Sequence, residues 1–155
     1  MIQPSDAVQL LHHWWFAYDG ALFGEWPELW SADARFRCRT DTGTTAYEEF
    51  VTVDVRGRDE VLAWQTDHRL HSPHPLRHSA TDVHLTRADE TTADFRSYIW
   101  VTQIVDGSPS ALSTAVVRGT LTVESGELRI SDLEVVLDTE SSTVLADKLE
   151  ALPPT

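Results

Sequence analysis

Cysteine is nearly missing from this chain of 155 residues: Cys38 stands alone. No internal disulfide can form, so the fold rests on its core. Lysine is equally scarce, one against eleven arginines, a bias that reads as genome composition more than function. Bases are outnumbered, 12 against 25 acids, for a formal net charge of -13. Such a chain is repelled by phosphate backbones and by anionic bilayers, which argues against nucleic acid and membrane surfaces as partners. No apolar run approaches the length that spans a bilayer, and no basic stretch leads into an apolar one as in a secretory leader. The expectation is a soluble protein of a reducing cytoplasm. Motifs are absent too: no GxSxG, no HExxH, no cysteine pair and no glycine-rich phosphate loop.

What is present is apolar and aromatic. A hydrophobic fraction of 41% suffices for one core, and 155 residues favour a single domain spanning 1–155. Six tryptophans are many for this length; at that density aromatics line ligand cavities as well as cores. A neutral or apolar small molecule, or another protein, is the expected partner.

Local patterns give the element order. Ser5-Asp6 can cap a helix starting near Ala7, whose Val8, Leu10, Leu11, Trp14, Trp15 and Tyr18 fall at helical spacing. Gly20 and Gly24 bracket a break, and Trp26-Pro27 opens a short second helix. "ARFRCRT" alternates as a half-exposed strand with Phe36 and Cys38 on one side, and "DTGTTAYEEF" reads as a loop with a short helix or strand. "GRDEVLAWQTDHRL" reads as another helix, stopped by "HSPHP". Four strand candidates follow, "RHSATDVHLTR", "TTADFRSYIWVTQIV", "SALSTAVVRGTLTVE" and "ELRISDLEVVLD", joined by turn-forming stretches such as Asp106-Gly107 and Ser125-Gly126. Residues from Glu140 to Leu152 can form a last helix. Helices first and a strand meander afterwards predict an α+β layout: a curved, mostly antiparallel sheet wrapped around the N-terminal helices, with a cavity in the mouth of the cone.

Three stretches carry a family resemblance: "AYDGALFGEWPELWSADARFRCR", "PLRHSATDVHL", and "ADFRSYIWV" followed by "ELRISDLEVVLD". The chain resembles the nuclear-transport-factor-2-like (NTF2-like) superfamily over most of its length. Within it, the chain looks like the branch holding SnoaL-like proteins, scytalone dehydratase and the β subunits of ring-hydroxylating dioxygenases. The resemblance implies the cone fold. It also implies that Tyr18 and Asp19, a Tyr-Asp dipeptide ending the first helix, face a pocket, and that His78 is the pocket histidine opening the strand after the long helix. Where the dehydratases have a first-strand tyrosine and a second histidine, this chain has Cys38 and, near the second position, Gln103.

His78, Asp19 and Tyr18 form a workable set for elimination, isomerisation or ring closure. An imidazole moves the proton, a carboxylate orients it, and a phenol holds a carbonyl or enolate oxygen. No metal or organic cofactor is called for. Trp15, Trp64, Tyr98 and Trp100 are candidate pocket walls, although parity alone leaves open which of Tyr98 and Ile99 faces inward. The bland alternative is a structural histidine beside an ordinary helix end. His68, His71, His74 and His78 invite a metal reading, but Pro73 and Pro75 break the geometry, and a segment of solvated histidines is the expectation. Asp94, Arg96 and Asp132 offer an epoxide-opening set that exposed strand charges explain equally well.

The reading reached is a cofactor-independent dehydratase, isomerase or cyclase acting on a hydrophobic polycyclic or polyketide-like molecule. The alternatives are a non-catalytic β-subunit-like partner of an oxygenase, suggested by Trp26, Leu29, Asp33 and Arg35, or a ligand-binding protein. A homodimer formed through the open face of the sheet is expected, because that face of "ALSTAVVRGTLTV" is too apolar to remain wet.

Overall fold

The computed structural model describes residues 1–139; the expected helix from Glu140 lies outside them. Helix α1 (Pro4–Asp19) leads into the short α2 (Trp26–Leu29) and strand β1 (Trp30–Thr40), then α3 (Glu48–Val51), β2 (Val53–Arg56) and α4 (Arg58–His71). Strands β3 (Leu76–Ala88), β4 (Thr92–Val105), β5 (Ser108–Glu124) and β6 (Glu127–Leu137) follow. Helix α1 begins before the expected Ser5-Asp6 cap: Gln3 is its N-cap, and Pro4 occupies the first turn, where its missing N–H costs no hydrogen bond. The four-residue β2, where Val53 and Val55 alternate with Asp54 and Arg56, was not among the expected strands.

The described strands form one sheet in the order β2-β1-β6-β5-β4-β3. All neighbours are antiparallel except β1 and β6, which pair in parallel from Trp30↔Ile130 to Thr40↔Leu137 and join the two ends of the chain. The β4–β5 and β5–β6 hairpins turn on Asp106-Gly107 and Ser125-Gly126, with φ of 49° and 77° in the first and 54° and 88° in the second. Positive φ at both central positions matches the right-handed twist of the flanking strands. Curvature enters through register shifts such as that at Thr120/Leu121 in the β5–β6 pair. There Gly119 is required, because a Cβ at that position would lie 2.0 Å from the Asp132 carbonyl oxygen.

The concave face carries Phe95, Ile99, Val101, Val117, Leu121 and Leu133, all buried. Helix α1 fills the cone by burying Leu11, Trp14, Trp15 and Tyr18. Trp14 is its centre, with ring centroids of Trp26 at 5.4 Å, Trp30 at 5.0 Å and Tyr18 at 5.7 Å. The convex face is mixed. Glu134, only 5% exposed, receives Arg118 at 2.5 Å and Arg37 at 3.4 Å, while Arg37 also holds Asp132 at 2.6 Å. Beside this network Tyr98 and Trp100 stand 56% and 53% exposed.

Candidate functional site

Between α1, α4 and the concave sheet lies a cavity of about 390 Å³. The sequence places its polar end at the last turn of α1. There Asp19 remains buried because both its oxygens are engaged. The His78 backbone N–H donates to Oδ2 at 2.7 Å, and His78 Nδ1 donates to Oδ1 at 2.6 Å. A carboxylate at that distance holds the hydrogen on Nδ1, so the neutral ring keeps its lone pair on Nε2. The His78 ring lies flat on Trp15, centroids 4.8 Å apart with an interplanar angle of 11°, and edge-on to Tyr18 at 5.4 Å. Imidazole, carboxylate and indole thus form one fixed unit on the cavity wall.

Arg69 on α4 secures the same turn. Its Nε donates to the Tyr18 carbonyl at 3.2 Å and its Nη2 to the Asp19 carbonyl at 2.8 Å, satisfying two of the carbonyls that a helix end leaves open. Nothing in the sequence marks Arg69 for this role, because its partners lie about fifty positions away.

The structure brings together Trp15, Tyr18, Cys38, Trp64, His78 and Gln103 on one cavity, with Asp19 directly behind His78. Tyr98 and Trp100 must be corrected: both point outward from β4, and Ile99 and Val101 take the inward positions. Asp94, Arg96 and Asp132 likewise lie on the convex face, away from this cavity. Burial pushes the Cys38 thiol up to about 12, which keeps it protonated. Burial also holds the Tyr18 phenol protonated, well above its usual range.

The largest departure concerns His68. Instead of a solvated loop residue it is a cavity-wall imidazole on α4. Its Nδ1 lies 2.7 Å from the Tyr18 hydroxyl, and its ring stacks on Trp64 at 4.7 Å and meets Phe50 at 4.6 Å. The helical spacing of Trp64 and His68, one turn apart, was the available signal, masked by the proline-rich run that follows. Among the described residues no group of three or more His, Cys, Asp or Glu could hold a metal ion.

Burial lowers His68 from the usual 6.5 to about 4, with the neighbouring His78 acting in the same direction. The unfolded chain therefore takes up a proton that the folded chain refuses. The associated stability is complete above about 6.5 and is lost as pH falls toward about 4. Below that, Glu48, held down to about 2 chiefly by the Thr40 hydroxyl, loses its contribution between 4.5 and about 2. Urea-unfolding midpoints are expected to drop between pH 7 and pH 4.5, and His68→Phe should flatten that drop. An unchanged slope in the variant would refute the assignment to His68.

A family model described as a SnoaL-like domain matches residues 5–134. No curated protein sequence matches. Among solved structures, an NTF2-like protein with a cystatin-like fold from Novosphingobium aromaticivorans superposes with a TM-score of 0.70 at 18% identity, covering 96% of this chain and 88% of that one. The β subunit of a putative aromatic-ring-hydroxylating dioxygenase from Novosphingobium aromaticivorans gives 0.70 at 16%, covering 91% and 92%. Aln2 from a Streptomyces species gives 0.68 at 22%, covering 86% and 89%. With a cone-shaped α+β fold like that of the NTF2-like structures, a pocket at its mouth and a family match over most of its length, the chain belongs to the SnoaL-like family.

Proposed function

We propose that this protein is a cofactor-independent acid–base enzyme, a dehydratase, isomerase or cyclase, for a hydrophobic ring compound. The observation that carries the reading is the Asp19–His78 pair on the wall of an apolar cavity. His78 Nε2 would remove a proton from the carbon next to a carbonyl; the C–H electron pair would become the C=C bond and the C=O π pair would move onto oxygen, giving an enolate. For isomerisation the proton returns at another carbon. For dehydration the enolate collapses, the β C–O bond breaks, and the hydroxyl departs with the proton from Nε2 as water. Asp19 compensates the imidazolium charge while it exists. Among the described lining residues none is Asp, Glu, Lys or Arg, which favours a neutral substrate. The test is α-hydrogen exchange of 1-tetralone in D₂O, followed by proton NMR with the full chain. Catalysed exchange that requires His78 supports the reading, and exchange at the buffer rate refutes it for ring ketones.

The exposed Tyr98 and Trp100, with Val116 beside them at 37% exposure, support a homodimer formed through the convex face. Sedimentation should give a dimer for the wild type and a monomer for Trp100→Glu; a monomeric wild type would overturn it. The same face supports a second reading, a non-catalytic partner of an oxygenase, through the likeness to the dioxygenase β subunit. That reading predicts a chain that aggregates when expressed alone and shows no exchange activity.

A further inference from the structure

Gln65 is a buried polar side chain of the cavity that the proton transfer leaves unused. With Val61, one turn earlier, it is a buried position of α4, and it lines the cavity. The residue is only 3% exposed. Other polar side chains buried to a similar degree have partners: Asp19 holds His78, Thr40 holds Glu48 and Glu134 holds Arg118. The Gln65 amide has no hydrogen bond among the described residues. Nor is it sealed off, since neither Oε1 nor Nε2 belongs with the closed, unpartnered atoms such as Trp14 Nε1 and Ser31 Oγ. The little surface that Gln65 keeps therefore includes both amide atoms, and it faces the cavity. Other polar groups on the wall are engaged or less buried. The Tyr18 hydroxyl meets His68 Nδ1 at 2.7 Å, Ser72 Oγ donates to the His68 carbonyl at 3.1 Å, and Gln103 is half-buried.

Water can satisfy an amide in an open cavity until a ligand expels it. A hydrocarbon then strands the amide, whereas a ligand with a hydroxyl in reach pairs it, and a site of this kind discriminates chiefly by what the wrong ligand leaves unpaired. A hydroxyl suits the amide better than a carbonyl does, because it can donate to Oε1 or accept from Nε2 and so matches either atom. An ionised oxygen would find no cationic side chain among the described lining residues. We propose that the Gln65 amide receives a neutral ring hydroxyl of the ligand, so that the pocket selects hydroxylated ring systems over the bare ones. This rests on the cavity being the ligand site, as in the preceding reading, and narrows its substrate class. Gln65 stands on α4 and His78 on β3, so amide and base bound the same cavity from two elements. One anchors a ring oxygen while the other works on the carbon beside a carbonyl, and two such points fix which ring carbon the base meets.

The test uses 2-naphthol and naphthalene, flat molecules that are neutral at pH 7 and differ by one hydroxyl. Their affinities for the full chain are read by equilibrium dialysis. The wild type is expected to prefer the naphthol. In Gln65→Met, which keeps the length of the side chain and removes the amide, the ratio of the two affinities should fall about tenfold, the effect of one good neutral hydrogen bond. Naphthalene should bind this variant at least as tightly as the wild type, because no polar group is left to strand. Gln65→Leu repeats the measurement should the Met variant fold poorly. A wild type that binds naphthalene as tightly as naphthol would overturn the proposal, and this result needs no variant. So would failure of both compounds to bind. A preference that survives the loss of the amide assigns the hydroxyl to another group, such as His78 Nε2, and overturns it as well. A naphthol preference that depends on Gln65, without tetralone exchange, removes the chemistry and leaves the recognition. Tetralone exchange without such a preference does the reverse.

Discussion

His78→Ala is expected to slow α-hydrogen exchange of 1-tetralone by about 10²- to 10⁴-fold, the usual weight of a positioned general base. The loss should fall on the rate at saturation more than on binding, because the cavity volume and aromatic walls survive the change. Asp19→Asn should come close to it. An amide cannot accept from both the His78 backbone N–H and Nδ1, which the carboxylate does at 2.7 and 2.6 Å. The ring is then freed to adopt the other tautomer, with the hydrogen on Nε2, where the base is needed. Asp94→Asn, on the convex face, should leave the rate unchanged and serves as the control. Full exchange activity in both His78→Ala and Asp19→Asn would end the acid–base reading.

The largest stability effect is expected at Trp14. Its side chain is fully buried and touches Trp15, Tyr18, Trp26 and Trp30, with centroids between 5.0 and 6.2 Å. Truncating such a residue to alanine costs about 3–5 kcal/mol, from lost burial and the cavity left behind. Against a typical total of about 5–15 kcal/mol, that is a large share. Trp14→Phe should cost clearly less, since it keeps a ring and removes an indole N–H that has no partner among the described residues. Chemical denaturation followed by circular dichroism measures both. A Trp14→Ala variant within about 1 kcal/mol of the wild type would show that this aromatic cluster is not the keystone of the core.

Much of the architecture was readable in the chain. The alternation in the four C-terminal strands and the Asp106-Gly107 and Ser125-Gly126 turns are local signals. A strand period and a positive φ are properties of consecutive residues, and these hairpins obey them. The aromatic stripe of α1 was legible for the same reason, as was the placement of Tyr18 and Asp19 at its end. The orientation of β4 was not. Tyr98 and Trp100 on one face are as apolar as Ile99 and Val101 on the other, so alternation identifies a strand without saying which side faces the helices.

Residue order by itself determined most of the elements and their sequence, because each depends on side-chain chemistry and short-range spacing; that Asp19 and His78 share a pocket was implied only by the family resemblance, and their direct contact across 59 positions belongs to the tertiary structure. Tertiary structure alone decided the rest: the parallel β1–β6 pairing, the inward face of β4, the Arg69 clasp on the end of α1, and His68 against the Tyr18 hydroxyl. These join groups separated by about fifty to a hundred positions. Such contacts exist only once the sheet has curled around the helix and water has left the space between them.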